Sequence, residues 1–170
     1  MKRLVLSLLA VVGWASWAQA ADPPNILVIV ADDVGYSDLG VFGSEIRTPN
    51  LDELANAGLL LTNFHTGAAC GPTRAMLMSG TDNHVVGMGI QSPPRLPEYQ
   101  DNPHYLGYMS ERTVPLPRLM ADAGYHTYMA GKWHLGSAAE QRPGARGFER
   151  SYALRGGGAC HFADGHDLFD

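Results

Sequence analysis

The sequence predicts an α/β domain built on a largely parallel sheet. Apolar runs of strand length alternate with stretches of helical periodicity, the pattern of βαβ units. The first run, "NILVIV" at 25–30, is apolar without a break, which suits a strand covered on both faces. Three polar clusters fall just after strands or at a helix start: Asp32 with Asp33, Cys70 to Arg74, and Lys132 with His134. In open α/β sheets ligands gather at the carboxyl ends of strands, so clusters far apart in sequence can converge.

The elements follow in order. "MKR" is a positive start, "LVLSLLAVVGWASW" an apolar stretch and "AQA" a small-x-small cleavage site. Residues 1–20 therefore read as a secretory signal peptide cleaved after Ala20, and the chain is expected in the periplasm or the medium. The apolar stretch is short and "ADPP" follows the cleavage site closely, which favours a signal peptide over a stable membrane insertion. The run 25–30 ends in the acidic, glycine-containing loop "ADDVGYSDLG". In "TPNLDELANAG", Pro49 lies near a helix start, Leu51, Leu54 and Ala55 keep helical spacing, and Gly58 suits the stop. "LLLTNFHT" at 59–66 reads as a second strand. "CGPTRAMLMSG" at 70–80 opens another helix, with Pro72 in its first turn. Residues 81–112, rich in Pro, Gly, Asn, Tyr and Met, read as a long irregular excursion, and such excursions are often functional. "VPLPRLMADAG" is a helix ending at Gly124, "YHTYMAG" a strand, and "KWHLG" its C-terminal end. Residues from Ser137 onward read mostly as loop.

Composition narrows the function. The chain has 170 residues, 45% hydrophobic and 17% charged, which is room for about one packed domain. Of the 12 basic residues, Lys2 and Arg3 leave with the signal peptide, and the remaining ten face 17 acidic ones. That balance argues against a nucleic-acid partner. The two cysteines, Cys70 and Cys160, could pair, but one bridge is a thin framework for an exported chain. The alternative is that Cys70 is kept for chemistry.

Each cluster suggests a task. Two adjacent carboxylates at a strand end repel unless a cation lies between them, and hard divalent cations want oxygen ligands. Adjacent strand residues point to opposite faces, so the chain must leave the strand here for Asp32 and Asp33 to reach one ion, and Gly35 would ease that departure. A solvated turn is the simpler alternative. Cys70 at a helix N-terminus would feel the positive end of the dipole, where oxyanions also bind. Arg74 adds a planar fork suited to such anions. An ordinary thiolate nucleophile would want a histidine base, and His65 and His84 are near in sequence, while a buried structural cysteine is the plain alternative. Lys132 and His134, two apart, would share one face of a strand and suit an anionic substrate whose leaving group needs a proton. No HExxH, paired-cysteine or short His-x-His spacing points to zinc.

Together these signals resemble the sulfatase family. "CGPTRAMLMSG" is similar to its first signature, Cys/Ser-x-Pro-x-Arg followed by an apolar run and Thr/Ser-Gly, with Cys70, Pro72, Arg74, Ser79 and Gly80 on the fixed positions. "GYHTYMAGKWH" is similar to the second, with Gly124, Tyr125, Thr127, Gly131, Lys132 and His134 in place. "PNILVIVADDVGYSDLG", "TPNLDELANAG" and "RGFERSYAL" resemble further sulfatase segments in the same order. The resemblance implies an alkaline phosphatase-like α/β fold, with a mostly parallel central sheet flanked by helices. It implies that a formylglycine-generating maturation enzyme oxidises Cys70 to Cα-formylglycine, and that the hydrated aldehyde, a gem-diol beside a calcium ion, attacks the sulfur of a small sulfate ester. Asp32, Asp33 and the matured Cys70 are then metal ligands. Cys70 is also the nucleophile, Arg74 supports the diol, Lys132 binds sulfate oxygens and His134 orients or protonates groups around it.

The resemblance also marks departures. Thr81 stands where many members have Arg, and Cys160 matches no role. An acidic-amide pair for calcium, another histidine and another lysine are implied further along, and none is found before "HDLFD"; nothing in the setting of His161 or His166 supports a substitute role. Residues 21–170 are therefore expected to be the incomplete N-terminal part of a sulfatase catalytic domain, inactive alone. Two rivals stand beside an arylsulfatase-type hydrolase: a phosphate or phosphonate ester hydrolase on the same scaffold, and an inert truncated chain.

Overall fold

The computed structural model describes residues 22–94 and 96–159. The expected signal peptide, together with Cys160, His161 and His166, lies outside the described residues. The chain divides into two units, Met1–Ala31 and Asp32–Asp170. In the first, residues 22–31 form neither helix nor strand, and Ile26, Leu27 and Ile29 are exposed. No helix among the described residues is long and apolar enough to cross a membrane.

The second unit carries the helices. Helix α1, Pro49–Ala57, starts with Pro49 in its first turn, where a missing N–H costs nothing, and stops before Gly58. Thr48 and Asp52 tie it to the preceding turn: Gly40 N–H donates to Thr48 Oγ1 and Val41 N–H to Asp52 Oδ1, each at 2.8 Å. Helix α2, Cys70–Ser79, begins at Cys70 itself and ends at Gly80, whose left-handed backbone (φ +66°) returns its N–H to the Met76 carbonyl. A single turn, α3 (Asn83–Val86), follows, and then helix α4, Leu116–Asp122. Helices α1, α2 and α4 lie within the stretches expected from Pro, Gly and apolar spacing, whereas the turn α3 falls in the stretch read as irregular.

The strands depart from expectation. Strand β1, Tyr128–Lys132, forms as read, and its partner is β2, Arg150–Leu154, inside the stretch read as loop. They pair in parallel, with Tyr128 opposite Arg150 and Lys132 opposite Leu154. A parallel pair needs a crossover, and residues 133–149 supply it through two 3₁₀ turns, Ala139–Gln141 and Gly144–Arg146. The strands expected at 25–30 and 59–66 are not formed. Leu27 is 84% exposed and Leu59 87%. An apolar run becomes a strand only when its N–H and C=O groups find a ladder, and among the described residues neither run joins one. The described sheet therefore has two strands rather than the broad central sheet expected.

Apart from α3 and a 3₁₀ turn at Pro97–Tyr99, the described part of the excursion at 81–112 is irregular, as read, yet it builds the core. Val86, Met88 and Met109 are fully buried with Ala75, Trp133, Leu135 and Ala153. Backbone bonds from Met109 N–H to Leu135 O (2.9 Å) and from Ser110 N–H to Val86 O (2.8 Å) hold the excursion in place. The buried Arg146 donates to the Met109 carbonyl at 2.8 Å. Trp133 packs edge-on against Phe148, with ring centroids 6.2 Å apart, and its Nε1–H reaches Gln141 O at 2.9 Å. The core thus lies directly behind the end of β1, where Lys132 and His134 emerge.

Candidate active site

Two elements carry the site. Helix α2 presents Cys70 as its first residue and Arg74 one turn later, on the same face. Strand β1 ends at Lys132, and the ladder continues past it: Trp133 N–H donates to Leu154 O and His134 N–H to Arg155 O. His134 is therefore held by main-chain bonds although it lies beyond the strand.

The thiol of Cys70 is the meeting point. Lys132 Nζ donates to Sγ at 3.3 Å, and His134 Nδ1 lies 3.4 Å from Sγ. Lys132 Nζ also bonds Asp32 Oδ2 at 2.8 Å. Arg74 Nη2 stands 3.5 Å from Asp32 Oδ1, and Nη1 donates to the Lys132 carbonyl oxygen. Arg74 and Lys132 are largely buried, at 12% and 13% side-chain exposure, so solvent screens their charges weakly. The buried Nε of Arg74 has no hydrogen-bond partner among the described residues. Among the described residues Cys70 is a free thiol.

The charges set the protonation states. The Lys132 hydrogen bond holds the Asp32 carboxyl below the ordinary carboxylate value; burial opposes this, and the charges of Lys132 and Arg74 assist it. Burial works against the Lys132 ammonium, but hydrogen bonds and charge from Asp32 and Cys70 outweigh it and hold the ammonium on more firmly than usual. His134 is pushed down by burial first, then by the Lys132 and Arg74 cations, against the pull of Asp32 and a hydrogen bond to the Gln91 main chain. The result is a neutral imidazole beside two fixed cations, a setting for an oxyanion.

Asp33 and His134 are the two non-glycine residues with positive φ among the described residues, both at +57°. Side chains larger than glycine adopt that backbone rarely, and it clusters at functional sites. It also corrects the expected geometry. Lys132 and His134 meet at Cys70 because the chain turns left-handed at His134, and not because a strand alternates. The chain turns at Asp33 itself, while Gly35 keeps an ordinary φ of −86°. The turn carries Asp33 away from its neighbour's contacts: its carboxylate is exposed and makes no hydrogen bond or ion pair with the described residues.

Other candidates lie elsewhere. His65 Nε2 pairs with Asn63 Oδ1 at 2.8 Å and His84 Nδ1 with Asp82 Oδ1 at 3.2 Å, and neither touches Cys70. Two glycines make room at the site. A Cβ on Gly157 would stand 2.6 Å from His134 Nε2, and one on Gly71 would stand 2.8 Å from Met88 Cε. Gln91, unmarked by any motif, accepts a hydrogen bond from Cys70 Sγ at 3.1 Å. Only its place in a long polar-rich loop could have drawn attention to it. For a hard divalent ion, the donor type fits: Asp32 and Asp33 are carboxylates, and Asp32 shares Lys132 with residue 70. The number does not complete a shell, since no group of three His, Cys, Asp or Glu among the described residues could hold a metal.

The profile of the sulfatase family matches residues 24–160. The chain belongs to the sulfatase family. An uncharacterized sulfatase of Schizosaccharomyces pombe is 52% identical over 143 residues, covering 82% of this chain and 26% of that protein. An arylsulfatase of Klebsiella aerogenes is 37% identical over 166 residues, covering 96% of this chain and 35% of the relative. The crystal structure of the PsFucS1 sulfatase from Pseudoalteromonas sp. superposes with a TM-score of 0.66 at 34% identity, over 84% of this chain and 28% of that one. The sulfatase chain described here thus has an α/β sulfatase-like fold and spans about a quarter to a third of the length of these relatives.

Proposed function

We propose that the protein is a sulfuric ester hydrolase of the arylsulfatase type, with residue 70 as its nucleophile, working in the periplasm or outside the cell. The observation that carries the reading is the convergence of Lys132 Nζ and His134 Nδ1 on Cys70 Sγ, at 3.3 and 3.4 Å. A simple thiol nucleophile would be left as a stable ester. Matured to Cα-formylglycine by a dedicated enzyme, residue 70 would instead offer a gem-diol, one hydroxyl to attack sulfur and the other to release sulfate.

The chain's own residues supply the rest. Lys132, held on Asp32, presents a fixed ammonium to the sulfate oxygens as charge develops on them. Arg74 reaches the same carboxylate and the Lys132 carbonyl, so it fixes both partners while adding a second positive charge. Neutral His134 is poised to take a proton from the attacking hydroxyl and pass it to the departing alcohol. Asp32 and Asp33 would hold a calcium ion, which when bound withdraws charge from the nucleophile and the sulfate oxygens. Further oxygen ligands would come from beyond these residues, in the larger catalytic domain of which 21–170 form the N-terminal part; the described chain alone is then inactive. The mostly parallel central sheet implied by the family would likewise be completed there.

Mass spectrometry of the peptide spanning residue 70 tests this in the full-length protein made with the maturation enzyme. Conversion of cysteine to formylglycine lowers the mass by about 18 Da. Cys70→Ala is expected to abolish turnover, and a sulfate monoester of a phenol is expected to outpace its phosphate counterpart. An active protein with an intact thiol at residue 70 would refute the reading.

A further inference from the structure

Gln91 joins two features of the site from a loop that carries no signature. Its Oε1 accepts the Cys70 thiol at 3.1 Å and, at 3.4 Å, the backbone N–H of Gly71. The first-turn N–H groups of a helix have no intrahelical partner, so the start of α2 and the side chain at 70 share one acceptor.

Packing holds Gln91 there. A Cβ on Gly71 would come within 3.3 Å of Gln91 Cγ, so the bare backbone at 71 is what lets the amide approach. Below it Met88 is fully buried, with its N–H on Asn83 O at 2.7 Å, and Gly89 N–H is on His104 O at 2.8 Å. The amide adds no charge. Lys132 and Arg74 already share the Asp32 carboxylate, and a second carboxylate in the place of Gln91 would weaken their positive field around residue 70 further.

We propose that Gln91 is a positioning residue of the sulfatase site: its amide oxygen sets the rotamer of the side chain at position 70. The inference rests on residue 70 being the nucleophile. The same acceptor serves a hydroxyl as well as a thiol, so the contact does not depend on which group residue 70 carries.

The test compares Gln91→Leu, which removes the acceptor, with Gln91→Glu, which keeps an oxygen there and adds a charge. In the matured full-length protein, Gln91→Leu is expected to lower kcat by about tenfold or more with little change in KM and in the unfolding midpoint. Gln91→Glu is expected to recover most of kcat while raising KM for the anionic ester. A leucine variant within about twofold of the parent, or a glutamate variant no better than leucine, overturns the proposal. A second measurement uses protein made without the maturation enzyme, with iodoacetamide as the probe and alkylation of Cys70 followed by peptide mass spectrometry. Gln91→Leu should speed alkylation by about threefold or more, the worth of one hydrogen bond, and the packing control Met88→Leu should not. Equal rates for Gln91→Leu and the parent count against the proposal. Altered alkylation without sulfatase activity in the parent removes the functional reading and leaves the positioning role. Activity with both measurements flat does the reverse.

Discussion

Gly157 and His134 are in contact in a way only glycine permits: a Cβ at residue 157 would stand 2.6 Å from Nε2 and 2.7 Å from Cε1 of the imidazole. The loop after β2 thus forms the wall against which the ring rests, and on the opposite side Nδ1 faces Cys70 at 3.4 Å.

Gly157→Ala is therefore expected to push the ring off its wall. The nearest atoms are the ring of a histidine held by its own main-chain bond to Arg155, so the ring must turn or Nδ1 must leave Sγ. A shift of about 1 Å at such a site costs on the order of a hundredfold in rate. Turnover of a sulfate monoester by the matured full-length protein should fall accordingly, with the unfolding midpoint nearly unchanged. Equal turnover in the two proteins would show that His134 does not need this wall.

Trp133 separates Lys132 from His134 and faces the other way, into the core, where it is 1% exposed. Trp133→Ala should cost about 3–5 kcal/mol, read as a lower urea midpoint. Trp133→Phe keeps an aromatic ring beside Phe148 but leaves the Gln141 carbonyl without its donor. Its loss should be smaller, about 1–3 kcal/mol. If the alanine variant unfolded like the parent, the core behind the site would be misassigned.

Asp82 supplies a pH signature away from the site. It caps α3: its Oδ1 accepts the His84 backbone N–H at 2.9 Å, and this bond, ahead of the His84 side chain, holds its carboxyl below the ordinary 3.8. A carboxyl depressed on folding stabilises the fold above its unfolded value, and that contribution is lost as pH falls through the lower folded value. The His84 amide proton resonance should therefore titrate with a midpoint below 3.8. In Asp82→Asn the cap persists and the titration vanishes. A midpoint at or above the ordinary value would contradict the cap.

Local signals in the chain were sufficient for helices α1, α2 and α4 and for which side chains gather at the candidate site. Pro49 and Pro72 in first turns, Gly80 in its left-handed cap, and the spacing from Cys70 to Arg74 each act within a few residues, so they can be read without knowing the fold. The same holds for β1 and for the family, which is written in contiguous motifs. Long-range pairing was not legible. "RSYAL" becomes β2 because β1 lies beside it, and "NILVIV" and "LLLTNFHT" stay out of the described sheet because strand formation depends on a distant ladder as well as on apolar content. The geometry at residue 70 was equally hidden. The left-handed turns at Asp33 and His134, the room left by Gly71 and Gly157, and the reach of Gln91 into the site arise from chain segments that meet only on folding. Motifs name the groups that carry charge and protons, whereas the angstrom-scale placement of those groups is set by packing from the excursion and from the loop beyond β2.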